Sequence, residues 1–483
     1  MKKIVITSIL ALTTALVSVS CDNADFGDTN LNPNYPSVAN TASLLTGAER
    51  SMSPILTATE PLCYVQYITN GQYPKETIYD VVNFEYTSNY VSVLNNLQAV
   101  INLNKDAATA AAALANGSNN NQIAVAMILK AYVFQHMTDR WGMVPYTGAL
   151  QGLDNAFPKF DTQEAIYNGL FKDLTDAVAL MDAGAGPKGD VIFTTKATQM
   201  SEWKRFANTL KLNMAMRLSK RFPAAGGYAA TKFVEALNAG TIASNLQNFT
   251  YPYITDEAYD NPWEDRFETR TDYLVSEPFV NLLIGTGTNL APQDPRLAKF
   301  AEKATNGGGI YKGGLTSAVG NTTVANYSFI TNTIIKNKTA SAFFYTYAQV
   351  SFAKAEAASL GWIPGSAATF YAEGIRASMA QWGVTTAAAD AYVLQFPYVN
   401  LKSIAYQKHI ALYMQGYEGW NEWRRFGADA VALTVPTGAI GSATIPQRQA
   451  YGASVKTLNL ENYNAAIAAQ GADKMETKVW WAN

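Results

Sequence analysis

The chain has 483 residues, of which 48% are hydrophobic and 15% are charged, and its formal net charge at pH 7 is −2. The hydrophobic fraction excludes extended disorder, and the lack of any lysine or arginine block excludes an electrostatic nucleic-acid surface. Two histidines and two cysteines leave little material for a His/Cys zinc site and none for a disulfide framework. We therefore predict no cofactor, no metal ligands and no nucleic-acid partner.

The first twenty residues have the pattern of a secretory signal peptide. Residues 1–3 are Met-Lys-Lys, and residues 4–19 form an apolar run softened by Thr and Ser. Small residues precede Cys21 and acidic residues follow it, so this start resembles a bacterial lipoprotein signal, which implies cleavage before Cys21 and lipid on its thiol. Ser18 departs from that pattern, because an aliphatic residue is usual there; a secreted protein with an incidental cysteine is the alternative. The second cysteine, Cys63, has apolar neighbours and is predicted to be a buried, unreactive thiol.

Helical periodicity dominates the chain beyond residues 21–40, which are rich in Asn, Asp and Pro and are predicted to be a lipidated tether. Apolar residues recur at steps of three and four, and capping residues and glycines mark helix ends. The predicted helices lie at 121–140, 203–218, 341–360, 366–382 and 402–423. A further one begins at a capping box at 161–164 and stops at Gly184. Because the helices come in pairs joined by short turns, we predict a mainly α fold of tetratricopeptide-like hairpins, without a strict sequence repeat.

Residues 241–340 differ in composition from the helical blocks on either side. They are rich in Asn, Thr, Gly, Tyr and Phe, and prolines and a Gly307-Gly308-Gly309 run interrupt them. We predict long loops with a few short strands, which form a lobe on a helical body of residues 41–240 and 341–483. Loops on a rigid scaffold are where binding sites usually lie.

Several segments, spread over nearly all of the chain, resemble motifs of the SusD/RagB family, and more narrowly of its SusD-like subgroup. In chain order they are residues 30–34 (Asn-Leu-Asn-Pro-Asn), 140–146 (Arg-Trp-Gly-Met-Val-Pro-Tyr), 203–212, 216–219, 294–297 (Asp-Pro-Arg-Leu), 355–361 with 371–379, 420–427 (Trp-Asn-Glu-Trp-Arg-Arg-Phe-Gly) and 479–481 (Val-Trp-Trp). Two of the motifs depart from the family pattern: Thr209 replaces a serine, and residues 444–448 read Thr-Ile-Pro-Gln-Arg where Arg-Ile-Pro-Arg-Arg is usual.

The resemblance implies a nutrient-binding lipoprotein, anchored in the outer membrane at the cell surface, that captures an oligosaccharide or a peptide. It also implies a partner, a TonB-dependent transporter of the SusC type, to which the captured nutrient is delivered. Family members have no known catalytic machinery, and the sequence has no nucleophile elbow, metal-ligand motif or phosphate loop. We therefore predict a binding protein and not an enzyme.

Two other classes of protein are alternatives. A surface glycoside hydrolase needs two facing carboxylates, which Asp256-Glu257 and Glu264-Asp265 could supply, although adjacent loop carboxylates are usually just solvated. A tetratricopeptide-type scaffold would bind only protein partners. An exposed aromatic patch favours ligand capture, whereas an apolar groove along the helices favours the scaffold.

Two aromatic clusters are the candidate ligand sites, because a sugar presents apolar C–H faces and hydroxyl edges and needs exposed rings beside hydrogen-bonding groups. The first comprises Tyr64, Tyr67, Tyr73, Tyr79, Tyr86 and Tyr90, with Asn70, Gln72 and Asn89; the second comprises Tyr251, Tyr253, Tyr259, Trp263 and Tyr273, with Asn261, Arg266 and Arg270. The predicted ligand contacts are Trp263, Tyr273, Tyr251, Tyr259, Arg266, Tyr73 and Tyr86. Trp263 is the first candidate because its ring has the largest face, and ordinary loop packing is the alternative for each residue.

Overall fold

The computed structural model describes residues 39–285, 294–306, 308–321, 323–428 and 431–483. The predicted signal peptide, Cys21 and the tether up to residue 38 lie outside the described residues. No helix within the described ranges is both long and apolar enough to cross a membrane. The chain from Thr41 to Asn483 forms one folded unit.

Helices are the main secondary structure of this unit, as the periodicity predicts. The longer ones are Thr41–Arg50, Asn95–Lys105, Asn119–Trp141, Gln163–Leu180, Gln199–Arg217, Tyr228–Asn238, Glu277–Ile284, Tyr347–Ser359, Ala367–Gln381, Thr386–Gln395, Leu401–Ala411, Gly416–Phe426 and Leu460–Gln470. Shorter helical segments are Ser53–Leu56, Glu60–Tyr64, Asn89–Leu94, Ala110–Ala113, Leu114–Asn116, Gly152–Asn155, Asn245–Gln247, Pro262–Glu268, Leu297–Phe300, Val324–Asn326, Asn332–Ile335, Ala453–Leu458 and Trp480–Ala482.

Consecutive helices pack against each other in pairs. Asn119–Trp141 packs against Gln163–Leu180, and Gln199–Arg217 packs against Tyr228–Asn238. In the C-terminal half, Tyr347–Ser359 packs against Ala367–Gln381. The predicted arrangement of helical hairpins is therefore confirmed.

Local capping explains where two predicted helices begin. The Thr162 side chain accepts a hydrogen bond from the backbone of Ala165, and the Ser366 side chain accepts one from Thr369. Each hydroxyl satisfies a backbone N–H that the first turn of a helix leaves without a partner.

Two predicted helices are wrong in part. Within 341–360, residues Ala342–Tyr345 form a strand before the helix begins at Tyr347, because they pair with the strand Phe249–Tyr251. The stretch 402–423 is two helices, since Met414 has a φ of +67° and breaks the helical path. A positive φ is incompatible with a right-handed helix.

The strands are short and form three two-stranded sheets. Ile68–Asn70 pairs antiparallel with Tyr273–Val275, and Phe249–Tyr251 pairs antiparallel with Ala342–Tyr345. Asn83–Phe84 pairs in parallel with Ala450–Tyr451. The first two sheets tie residues 249–275 of the predicted lobe to segments of the helical body.

The core contains aromatic rings and buried charges. Trp203 is fully buried, and Cys63 is 1% exposed, which confirms a buried thiol whose pKa burial raises. Arg217 forms ion pairs with Asp139 and with Glu418, the latter at 2.7 Å. The Asp139 and Arg217 side chains are each 1% exposed. Each charge has lost its contact with water, and the ion pair compensates for that loss.

Candidate ligand-binding site

A pair of strands joins the two predicted aromatic clusters. Asn70, in the first cluster, lies opposite Tyr273 of the second in the antiparallel pairing. The guanidinium carbon of Arg270 lies 4.6 Å from the centre of the Tyr73 ring. Tyr273 donates a hydrogen bond of 2.9 Å to Glu76, a residue 197 positions away in the sequence. The structure therefore brings the part of the first cluster around Tyr73 next to the part of the second cluster around Tyr273.

Four of the predicted contacts are buried, so the expectation of exposed rings is wrong for them. Tyr251 is 1% exposed, Trp263 is 3% exposed, and Tyr86 and Tyr273 are each 8% exposed. All four rings belong to the main hydrophobic core; Tyr86, for example, packs edge-on against Trp141 at 5.5 Å between ring centres. Their role as ligand contacts stays a prediction.

Tyr73 and Tyr259 do have exposed rings. Tyr73 is 58% exposed and Tyr259 is 47% exposed. An arginine lies over each ring, Arg270 at 4.6 Å from the Tyr73 centre and Arg50 at 4.9 Å from the Tyr259 centre. A cation–π contact of this kind restricts the orientation of an exposed ring.

Trp263 forms part of the wall of a cavity of about 310 Å³. Phe343 and Trp382, both half-buried, contribute the other two aromatic rings of the wall. The polar residues of the wall are all neutral: Thr57, Asn261, Thr333, Ser341 and Gln381. Among the described residues, none that lines this cavity is charged. A concave, mostly apolar site with a few neutral polar groups suits a small neutral ligand.

The ends of several elements position these side chains. Gln381 is the last residue of helix Ala367–Gln381, and Trp382 follows it. The helix ends in backbone hydrogen bonds of 3.1 and 2.9 Å from Gly383 and Val384 back to its last turn. Gly383 has a φ of +69°, so this end is a Schellman motif in which glycine takes the left-handed position.

Trp263 is held rigidly at the start of the helix Pro262–Glu268. The Asn261 side chain accepts a hydrogen bond of 3.1 Å from the Trp263 backbone N–H and caps the helix. The Arg266 guanidinium carbon lies 4.7 Å from the centre of the indole, and the Tyr273 ring packs edge-on against it at 5.7 Å. The indole is therefore a fixed wall of the cavity.

Arg266 also lines a second, polar cleft of about 550 Å³, together with Arg140 and Tyr417. The Arg140 guanidinium carbon lies 4.0 Å from the centre of the Trp141 ring and 4.7 Å from that of Tyr417. Glu60 and Glu85 line the same cleft, so its charges are mixed. This cleft differs from the aromatic cavity, whose described lining is neutral.

Two of the acidic residues considered for hydrolysis, Glu257 and Glu264, pair with one lysine, Lys338. Carboxylate oxygens of Glu257, Asp260 and Asp265 lie within 4.8 Å of one another. The Lys338 ammonium is 2.7 Å from Glu257 and 2.8 Å from Asp260. Burial and the neighbouring Asp260 raise the pKa of the Asp265 carboxyl. The Lys338 ammonium neutralises part of the charge of these carboxylates. None of Glu257, Asp260 and Asp265 lines the aromatic cavity.

The described fold is that of solved SusD homologues. A structure named a chitin-binding protein is 26% identical to this chain, with a TM-score of 0.76 over 92% of this chain and 100% of that one. A SusD homologue from Bacteroides fragilis is 21% identical, with a TM-score of 0.76 and coverage of 92% and 100%. A chitin-binding SusD homologue from Flavobacterium johnsoniae is 23% identical, with a TM-score of 0.70 and coverage of 92% and 98%.

The SusD-like family model, described as starch-binding and associating with the outer membrane, matches residues 33–452. The chain belongs to this family, so the resemblance seen in its motifs is confirmed. A search among curated proteins finds no match.

The sequence analysis identified Trp263 but missed Phe343, Gln381 and Trp382. A signal for two of them is present, since Gln381 and Trp382 stand directly before a glycine at the end of a predicted helix. Their position beside Trp263 depends on tertiary contacts over more than a hundred residues. A pattern in the local sequence cannot predict a contact between residues so far apart in the chain.

Proposed function

We propose that this protein is a surface carbohydrate-binding lipoprotein that captures an oligosaccharide and delivers it to a SusC-type TonB-dependent transporter. The observation that carries the proposal is the neutral cavity of about 310 Å³ lined by Trp263, Phe343 and Trp382. The family description, starch-binding and associating with the outer membrane, supports the same ligand class and location.

The chemistry of the cavity favours a sugar over a peptide. Half-buried rings such as Trp382 offer an apolar face to the C–H groups of a pyranose, and amides and hydroxyls can bond its hydroxyl groups. A peptide brings charged termini and often charged side chains, for which the described lining has no partner. Two of the similar structures are named as chitin-binding, which also supports a polysaccharide fragment as the ligand.

The exposed tyrosines are proposed as further contacts for longer ligands. Tyr73 and Tyr259 present rings at the surface, each with an arginine over it. In this proposal the cavity holds one sugar unit, while Tyr73, Tyr259 and Arg266 contact neighbouring units. Of the buried rings, that of Tyr273 packs edge-on against Trp263 and so supports the cavity wall.

We propose that the protein binds without cleaving its ligand. The lobe carboxylates Glu257 and Asp260 bind the Lys338 ammonium, an arrangement that supports structure more than acid–base catalysis. A tetratricopeptide-type scaffold for protein partners is the alternative. The neutral aromatic cavity favours a small ligand over a protein partner.

Titration calorimetry with neutral oligosaccharides tests this function. Trp382→Ala should weaken binding about tenfold, or about 1.4 kcal/mol, because a stacking face is lost. Trp480→Ala is a matched control, since Trp480 is also half-buried and instead packs near Tyr167 and Arg221. If the folded wild-type protein binds no starch- or chitin-derived oligosaccharide, the proposed ligand class is wrong.

The anchor and the partner have separate tests. Cys21→Ala should release the protein from the outer membrane of cells that lack the transporter, and continued membrane fractionation would place the anchor elsewhere. Co-purification in detergent with a SusC-type barrel tests delivery. Recovery of the lipoprotein alone, when both proteins are expressed at equal levels, would contradict the partnership.

A further inference from the structure

Several buried polar atoms beside the aromatic cavity have no hydrogen-bond partner among the described residues. They include both amide atoms of Gln381, Oε1 and Nε2, and the indole Nε1 of Trp382. Both residues line the cavity. Gln415, which directly follows the cavity residue Met414, is 5% exposed and also has both amide atoms unpaired.

Such a group of unpaired atoms calls for a physical explanation. Leaving a buried donor or acceptor unsatisfied costs about 1–3 kcal/mol, and most buried polar groups in proteins are paired. Other polar residues at the cavity are engaged; the Asn261 amide, for example, donates to the backbone oxygens of Ile334 and Asn337 at 2.8 and 3.0 Å. Among the residues that line the cavity, the unpaired buried atoms therefore belong to Gln381 and Trp382, at one helix end.

The chemistry of these atoms selects a particular ligand group. A glutamine amide offers one acceptor and two donor hydrogens, so it can pair side by side with another amide, accepting its N–H and donating to its C=O. A carboxylate has no hydrogen to donate to the Gln381 oxygen, and an ammonium has no lone pair to accept from the Gln381 N–H groups. Both charged groups therefore fit less well than an amide.

The apolar part of the wall completes the match. Ile334 and Met414 line the cavity as half-buried aliphatic side chains, and Phe343 adds an aromatic ring. A methyl group attached to the ligand amide would be removed from water by contact with such a wall, which stabilises the complex. An amide that carries a methyl group is an acetamido group.

We propose that the cavity recognises the acetamido substituent of an N-acetylated sugar, with Gln381 as the residue that determines this specificity. The inference rests on the proposed carbohydrate-binding function and names the ligand class of the same site. A turn of the Gln381 side chain directs its amide towards the acetamido group, while Trp382 contributes its ring. The methyl group lies against Ile334, Met414 and Phe343.

Two oligosaccharides that differ only at the second carbon of each sugar test the proposal. Chitotetraose carries an acetamido group there, and cellotetraose carries a hydroxyl, whereas the β-1,4 linkage and the length are the same. Calorimetry on the wild-type protein should give at least tenfold tighter binding of chitotetraose. Gln381→Leu should reduce this ratio to about twofold or less, because leucine keeps the size and loses both hydrogen-bonding groups.

Gln395→Leu is the matched control, since Gln395 is an exposed glutamine at the end of the helix Thr386–Gln395 and lies outside the cavity lining. Its ratio should equal that of the wild type, and the melting temperature of each variant shows that it is folded. Equal binding of the two tetrasaccharides by the wild type would overturn the acetamido proposal and leave the carbohydrate function standing. Binding of neither would overturn the acetamido proposal and count against the proposed function as well. An unchanged ratio in folded Gln381→Leu would assign recognition to other residues.

Discussion

Asp139→Ala is expected to unfold at a much lower denaturant concentration than the wild type. The Asp139 side chain is 1% exposed and forms an ion pair with Arg217. It also accepts hydrogen bonds from the Tyr167 hydroxyl at 2.6 Å and from the Trp481 indole at 2.8 Å. These partners come from two other helices and from the C-terminal end, so one carboxylate connects segments that are distant in sequence.

The size of the effect follows from what the substitution leaves behind. Removing one partner of a buried ion pair costs about 3–5 kcal/mol, because the other charge stays buried. Each buried donor that loses its acceptor adds about 1–3 kcal/mol. The contributions overlap, since Arg217 keeps Glu418 at 2.7 Å as a second partner. We therefore expect a total loss of about 3–5 kcal/mol in the free energy of unfolding.

Urea unfolding followed by circular dichroism measures this loss as a shift of the midpoint at constant slope. Asp390→Ala is the control, because Asp390 pairs with Arg376 at 2.6 Å but its side chain is 49% exposed. An exposed pair of this kind contributes about 1 kcal/mol or less. If Asp139→Ala costs no more than Asp390→Ala, the buried network does not stabilise the fold as argued.

Three further predictions concern stability, pH and the exposed surface. Trp263→Ala should cost about 3–5 kcal/mol in urea unfolding, because this 3% exposed ring packs against Tyr273; a near-wild-type midpoint would contradict the packing. Burial lowers the pKa of His409 from 6.5 to about 3, so its ring is neutral in the folded state and takes up a proton on unfolding between those values. Its contribution to stability is therefore present above pH 6.5 and is lost, by about 1.4 kcal/mol per pH unit, as the pH falls towards 3. His409→Gln should flatten the dependence of the melting temperature on pH between 7 and 5, and an unchanged slope would refute this. Tyr73→Ala should leave the melting temperature within error and weaken binding of long oligosaccharides about threefold, about 0.6 kcal/mol; equal affinity of the variant would remove Tyr73 from the site.

The helices that the sequence predicts correctly are those with local signals. Thr162 and Ser366 cap their helices through hydrogen bonds to residues three positions later, a relation visible in the sequence. The strand Ala342–Tyr345 could not be recognised in the same way, because its partner Phe249–Tyr251 lies far away in the chain. The break at Met414 is equally hidden, since the apolar pattern continues across it.

In the candidate site, too, the features with a local sequence signal were predicted and those that depend on long-range packing were not. Aromatic composition identified the region of Trp263, Tyr73 and Tyr259, because those rings are dense in the sequence. It did not predict which rings are buried, since burial depends on the elements that pack against them. Gln381 and Trp382 were missed because their position in the cavity depends on a helix that ends more than a hundred residues after Trp263.

The central claim is that the cavity lined by Trp263, Phe343 and Trp382 holds a sugar. A crystal structure of the protein with a bound tetrasaccharide, chosen as the tightest binder in calorimetry, tests it most directly. The account predicts one sugar ring inside this cavity, in contact with the Trp382 indole. A tetrasaccharide ordered elsewhere, for example on the exposed Tyr73 and Arg270 surface with the cavity empty, would contradict it.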